Sequence, residues 1–236
     1  TPLYIASQEG HVESARLLLE AGAAVSQGEQ NGVTPLIIAS QKGHVECARL
    51  LRDAGAGINQ AMNDGTTPLF AACQEGQVEC VRLLLEAGAA VDQAKDGSAT
   101  PLIIACYKGH VEVARLLRDA GAGINQAMND GTTPLFMACQ EGQLECARLL
   151  LETGAEINQA QQDGVTPLFI ACETGQLECA RLLLEAGAAV SQAKDNGATP
   201  LYIACQQGHL EVARLLLEAS VAVNQAKQSG ATPLYI

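Results

Sequence analysis

The nine cysteines of this 236-residue chain offer the most chemistry, because thiolates bind zinc and thiols pair into disulfides. Within each of two series the members lie 33 or 66 residues apart: Cys73, Cys106, Cys139, Cys172 and Cys205, and Cys47, Cys80, Cys146 and Cys179. Structural zinc sites use close pairs such as Cys-x2-Cys, whereas at least six residues separate any two cysteines here. The odd number would also leave one thiol without a disulfide partner. We therefore predict small buried side chains, with no metal and no cofactor.

The four histidines follow the same spacing, although their type could serve proton transfer or metal binding. They are His11, His44, His110 and His209, and the equivalent positions between them hold Gln77, Gln143 and Gln176. Glutamine does not titrate, so the shared role that we predict is hydrogen bonding at the start of a helix. Catalysis needs different residues converging on one point, whereas this spacing repeats like residues at intervals. We therefore predict that the chain is not an enzyme.

A repeat of 33 residues accounts for the spacing of the cysteines and the histidines. The tripeptide Thr-Pro-Leu begins at Thr1 and returns with its threonine at residues 34, 67, 100, 133, 166, 199 and 232. Such a period marks a solenoid, in which each unit buries its apolar face only against its neighbours. We predict a single array with repeats 1–33, 34–66, 67–99, 100–132, 133–165, 166–198 and 199–231 and a partial repeat 232–236. Neither end has a polar capping repeat, so we expect the array to be part of a longer protein.

Each repeat contains signals for two helices and a turn. In the fifth repeat, Thr133 can cap a helix with its hydroxyl, and Pro134 suits the first helical position because no amide hydrogen is needed there. Gly142 ends this first helix, and a second helix follows it. Asp163 and Gly164 then predict a tight turn before the next repeat. The predicted unit is a helix pair followed by a protruding turn.

Composition excludes two classes of partner. The net charge is -12, with 26 acidic against 14 basic residues, whereas proteins that bind nucleic acid cluster lysine and arginine. No apolar run approaches the roughly 20 residues that span a bilayer. We therefore predict no nucleic-acid binding and no membrane insertion.

These motifs together resemble ankyrin repeats. The 33-residue period, the TPLxxAx opening, the GHVE and GHLE junctions and the LLLEAGA segment followed by Val-Asn or Ile-Asn carry the resemblance over the whole chain. It implies an all-α ankyrin-repeat solenoid of stacked antiparallel helix pairs with projecting β-hairpin-like fingers. It also implies a protein-binding module without catalysis. One departure is the residue after Thr-Pro-Leu, which is commonly His in the family and is Tyr, Ile or Phe here.

In the family, partner contacts come from the fingers and the solvent-facing part of the first helix. Among these positions we single out Tyr107, as an exposed aromatic beside Lys108, because aromatic residues are enriched at interface hot spots. The flexible apolar Met62 and Met128 are further candidates. The full predicted set is Lys42, Met62, Asn63, Glu75, Lys95, Tyr107, Lys108, Met128, Asn129 and Glu141.

Two observations give these positions a simpler explanation. The alternation of Glu and Lys at the ninth position of the first five repeats could merely relieve repulsion between layers. In addition, residues 42–86 match residues 108–152 at 41 of 45 positions, so part of the alternation is copied 66 residues on.

The function that these features predict is a monomeric, non-enzymatic scaffold that binds a protein or peptide through the concave surface of first helices and fingers. Near-identical repeats without caps also fit a structural spacer or elastic segment of a large protein. A third possibility is the targeting arm of an enzyme whose catalytic domain lies outside this chain. The unpaired-cysteine pattern favours a reducing intracellular compartment, which we take to be the cytoplasm.

Overall fold

The computed structural model describes residues 1–219, which form seven pairs of α-helices. The first helices of the pairs are α1 (Pro2–Gln8), α3 (Pro35–Lys42), α5 (Pro68–Gln74), α7 (Pro101–Lys108), α9 (Pro134–Gln140), α11 (Pro167–Thr174) and α13 (Pro200–Gln206). The second helices are α2 (Val12–Glu20), α4 (Val45–Asp53), α6 (Val78–Glu86), α8 (Val111–Asp119), α10 (Leu144–Glu152), α12 (Leu177–Glu185) and α14 (Leu210–Glu218). The end of the predicted repeat 199–231 and the partial repeat 232–236 lie outside the described residues.

The helix boundaries follow the predicted signals. The Thr133 hydroxyl accepts a hydrogen bond from the Phe136 amide at 3.1 Å, and Pro134 occupies the first turn of α9. The same cap begins each of the other first helices. Gly142 follows the end of α9 with a φ of 69°, a left-handed conformation that glycine adopts without strain. The predicted cap, first turn and stop of this helix are therefore confirmed.

The helix pairs stack in two compact units, Thr1–Gly123 and Ile124–Ile236, hereafter the N-terminal and C-terminal units. Within the N-terminal unit α1, α3, α5 and α7 pack in chain order, as do α2, α4, α6 and α8. Within the C-terminal unit α9, α11 and α13 form one row, and α10, α12 and α14 form the other. The first helices are the more deeply buried; in α5 every residue from Pro68 to Cys73 is buried. The stacking of thin layers thus supplies the core that a single repeat lacks.

The cysteines belong to this core. Eight of the nine are buried, and Cys205 is half-buried, so the prediction of small packed side chains is confirmed with that one exception. Burial raises the pKa of Cys73, and it also raises that of Cys80, to about 11. A hydrogen bond joins the thiols of Cys139 and Cys179 and raises the pKa of Cys139. Cys73, Cys80 and Cys139 therefore stay protonated at neutral pH, whereas the shared hydrogen bond lowers the pKa of Cys179.

Hydrogen bonds between neighbouring repeats fix the stacking. The ring Nε2 of His44 lies 3.0 Å from the Gln8 carbonyl oxygen, and the Gln77 side chain donates to the Gln41 carbonyl at 3.2 Å. Histidine and glutamine thus make equivalent bonds, which confirms the predicted role for His44. His110 and His209 make the same contact with the carbonyls of Gln74 and Glu173.

The fingers are tight turns closed by hairpin-type hydrogen bonds. The Met62 amide donates to the Thr66 carbonyl at 2.9 Å, and the Gly65 amide donates back to the Met62 carbonyl at 3.0 Å. The Asn63 amide donates to the Asn31 carbonyl of the preceding finger at 2.9 Å. No β-strand occurs in residues 1–219, so the fingers are hairpin-like in their bonding but too short for a sheet. Nor is any helix of this part of the chain long and apolar enough to cross a bilayer.

Candidate functional site

Met62 and Lys95, each at the twenty-ninth position of its repeat, lie in fingers beside the first helices α3 and α5. In the N-terminal unit these two side chains help to line a cavity of about 260 Å³. Its inner wall comes from Ile37 and Ile38 of α3 and Ala71 of α5. The structure thus brings together two of the predicted contact residues, Met62 and Lys95, over an apolar floor.

An ion pair fixes the polar rim of this cavity. The Lys95 ammonium lies 2.9 Å from Asp64 Oδ2 and 5.7 Å from the centre of the Phe70 ring. Burial alone would raise the pKa of Asp64, but hydrogen bonds from Lys95 and Thr66 and the Lys95 charge outweigh it and lower the pKa to about 2. The rim is therefore a neutralised pair at neutral pH, held in place by a ring beneath the cation.

The C-terminal unit repeats this arrangement. Lys194 Nζ lies 3.6 Å from Asp163 Oδ2 and 5.5 Å from the Phe169 ring centre. Sequence reasoning missed Asp64, Phe70 and Lys194. The sequence does contain a signal for these contacts. In repeats three and six, Phe follows Thr-Pro-Leu and lysine occupies the twenty-ninth position of the same repeat.

The remaining predicted residues of the N-terminal unit lie outside the cavity lining. Lys42 and Glu75 are exposed at the ends of α3 and α5, and Glu75 accepts a hydrogen bond from the Gln74 side chain at 2.9 Å. Asn63 is exposed at its fingertip. These three side chains face solvent beside the cavity's own helices and finger, which suits them to peripheral contacts.

Tyr107 requires a correction, because it is half-buried where an exposed ring was predicted. Lys108, which is exposed, places its ammonium 5.0 Å from the centre of the Tyr107 ring. Gln41 and Gln74, which occupy the equivalent position in earlier repeats, are half-buried too. The position lies at the last turn of the first helix, and its neighbourhood limits exposure whatever the residue. Tyr107 is therefore a half-buried ring beneath the Lys108 ammonium, not a protruding anchor.

The last three predicted residues belong to the C-terminal unit. Met128 is half-buried in its finger, with its amide bonded to the Thr132 carbonyl at 2.9 Å. Asn129 is exposed, and its carbonyl accepts a hydrogen bond from the Gln162 side chain at 2.6 Å. Glu141 is exposed and accepts a hydrogen bond from the Gln140 side chain at 3.0 Å. Each lies on the same structural feature as its counterpart in the N-terminal unit.

Metal chemistry has no candidate centre in the described part of the chain. No group of three or more His, Cys, Asp or Glu side chains within residues 1–219 is placed to hold an ion. The two ionic groups at the cavity, Asp64 and Lys95, are paired with each other. A carboxylate with a pKa of about 2 is a poor general base at neutral pH. What the arrangement can do is recognise a ligand by shape, apolar contact and hydrogen bonding.

A protein-family model matches this chain along its whole length. A family model described as ankyrin repeats (3 copies) matches residues 1–62, 53–128, 120–194 and 187–236. The crystal structure of the human ASB11 ankyrin repeat domain is similar, with a TM-score of 0.86 and 31% sequence identity. The match covers 94% of this chain and 99% of that domain. A search of curated proteins found no match.

Proposed function

We propose that this chain, which belongs to the ankyrin repeat family, is a non-enzymatic scaffold that binds a protein or peptide through its fingers and first helices. Ankyrin repeats are in general protein-interaction modules. The observation that carries the proposal for this chain is the cavity between Met62, Lys95 and the helices α3 and α5. It combines a floor of buried aliphatic side chains with a fixed polar rim, the composition of a binding site.

The rigidity of the stack supports this function. A binding surface loses less free energy on association when its side chains are ordered beforehand. Here the finger backbone is tied to the preceding finger by the Asn63 amide, and Lys95 is held by both Asp64 and Phe70. A partner would therefore meet a surface that is already organised.

Charge favours a basic partner. Residues 1–123 contain 14 acidic and 9 basic residues, and residues 124–236 contain 12 and 5. Both parts are acidic, so their field would speed the association of a positively charged segment and slow that of an acidic one. We also propose an intracellular, cytoplasmic location, which the use of buried thiols as packing groups supports.

Selection from a random peptide library on the immobilised chain tests the proposal. We expect peptides to be enriched, and we expect Met62→Ala combined with Lys95→Ala to weaken their binding. Lys95→Ala also removes the partner of Asp64, so circular dichroism must show that the variant is folded. A second variant, Tyr107→Ala with Lys108→Ala, tests the other predicted contact of the N-terminal unit.

The matched control lies on α4, one of the second helices. Glu46 and Arg49 form an exposed pair with an N to O distance of 3.6 Å, and such pairs contribute little to stability. Glu46→Ala with Arg49→Ala should leave peptide binding unchanged. Failure to enrich any peptide, or enriched peptides that depend on α4 and not on the cavity, would contradict the proposal.

A further inference from the structure

Ala71 is smaller than the residues at the equivalent position of the other repeats. The fifth position of the repeat holds isoleucine at residues 5, 38, 104, 170, 203 and 236, methionine at residue 137 and alanine only at residue 71. In the N-terminal unit Ala71 lies on the floor of the cavity described above, with its methyl group almost fully buried. Because its side chain is a single methyl group, Ala71 occupies less of this cavity than isoleucine or methionine would.

The space suits one side chain of a ligand. Its volume of about 260 Å³ lies below the roughly 300–1,000 Å³ of pockets for drug-sized molecules. Ile37 and Ile38 supply apolar walls, and Met62 supplies a flexible one that can adapt to the shape of an aliphatic chain. Gln41 and Gln74 border it with amide groups that can bond to a ligand backbone.

Charge decides between ligand classes. Lys95 is the only basic residue among those that line the cavity, and Asp64 neutralises it. An acidic ligand side chain would therefore find no unpaired cation in the lining, and the acidic excess of residues 1–123 would repel it. Lysine and arginine elsewhere in the ligand would be favoured for the same reason.

We propose that the cavity over Ala71 is a specificity subsite that takes one large aliphatic side chain from an extended, basic segment of a partner protein. This inference rests on the proposed function, and it adds the chemistry of the partner. Ala71 determines the specificity because its small size keeps the floor open. Binding gains from burial of the ligand side chain against Ile37, Ile38 and Met62.

The chain contains its own control for this idea. Residues 42–86 are nearly identical to residues 108–152, and the difference between Ala71 and Met137 is one of only four between the copies. Met137 therefore shows that methionine is compatible with this position in a closely similar repeat. Ala71→Met should fill the subsite without preventing folding, and Met137→Ala is the reciprocal change away from it.

The experiment uses peptides selected from a random library on the wild-type chain. Their dissociation constants are measured for the wild type, Ala71→Met and Met137→Ala, with thermal melting as the folding control. We expect Ala71→Met to weaken binding about tenfold or more, since it denies burial to one aliphatic side chain. Met137→Ala should leave binding within about twofold of the wild type, because Met137 does not line the cavity. The selected peptides should share Leu, Ile or Met together with Lys or Arg.

Carbon-13 labelling of the methionine methyl groups gives a second readout. The chain has three methionines, of which Met62 lines the subsite while Met128 and Met137 belong to the C-terminal unit. Titration with a selected peptide should shift the Met62 signal and leave the other two nearly unchanged.

The outcomes separate the two proposals. Selected peptides that bind Ala71→Met as tightly as the wild type, or that shift Met128 and Met137 and not Met62, would overturn the subsite and leave the scaffold function standing. A library that yields no binding peptide would overturn the scaffold function and the subsite with it.

Discussion

We expect Gly43→Ala to destabilise the protein for two separate reasons. The residue ends α3 with a φ of 76°, in the left-handed region. A methyl group at this position would clash with the side-chain carbonyl oxygen of Gln77 and lie 2.7 Å from its Cδ. That side chain would have to move, although it donates a hydrogen bond to the Gln41 carbonyl of the preceding repeat at 3.2 Å. The substitution therefore strains the backbone and removes a contact between repeats.

These two effects set the expected loss in the free energy of unfolding. A left-handed conformation costs a non-glycine residue about 1–2 kcal/mol. Loss of the Gln77 hydrogen bond adds about 1 kcal/mol, so the total is about 2–3 kcal/mol. Gly55→Ala is the matched control, because Gly55 has a φ of 86° but no atom within 4 Å of the added methyl group. Gly55→Ala should lower the free energy of unfolding only through backbone strain, by about 1–2 kcal/mol.

Chemical denaturation followed by circular dichroism measures both losses. The two substitutions should differ by about 1 kcal/mol, and the difference should vanish when both are made in a Gln77→Ala background, where neither clash nor hydrogen bond exists. Equal losses for Gly43→Ala and Gly55→Ala in the wild-type background would refute the reasoning. So would a difference that persists without the Gln77 side chain.

Three further predictions concern single contacts. Lys95→Met should raise the pKa of Asp64 from about 2 toward its ordinary value of 3.8, measured by NMR titration; a value still near 2 would contradict the role of Lys95. Because the folded-state pKa is the lower one, the stability that Asp64 contributes is present above pH 3.8 and is lost as the pH falls toward 2. His44→Gln should leave the melting temperature nearly unchanged, since glutamine makes the same bond in the next repeat, whereas His44→Ala should lower it; equal melting temperatures for the two variants would deny the bond a role. Asn59→Ala should cost about 1 kcal/mol in denaturation experiments, because its side chain accepts the Ala90 amide at 2.8 Å; no loss of stability would show that water replaces that acceptor.

Local signals account for the parts of the fold that the sequence predicts. The Thr133 cap, Pro134 and the left-handed Gly142 each depend on neighbours within a few residues along the chain, and all three are confirmed. The packing of the cysteines was also predictable, because serine and valine replace them at equivalent positions, as expected for small core side chains. The repeat period then extends each local conclusion to the other repeats.

The cavity was not predictable in the same way. At its rim, Lys95 of one finger contacts Asp64 of the preceding finger and the Phe70 ring of α5. These contacts depend on how closely the fingers approach the helix, which the sequence does not specify. Ala71 resembles any small core residue in the sequence, and its place on the cavity floor depends on where the fingers lie. Tyr107 was expected to be exposed because its repeat position was known while the burial of that position was not.

We expect a partner to contact the fingers and the first helices and not the second helices. Photo-crosslinking tests it directly, with a benzophenone amino acid replacing Met62 in the cavity or Arg49 on α4, and with a library-selected peptide as the probe. We predict a crosslinked product from position 62 and none above background from position 49. Crosslinking from position 49 but not from position 62 would contradict the claim.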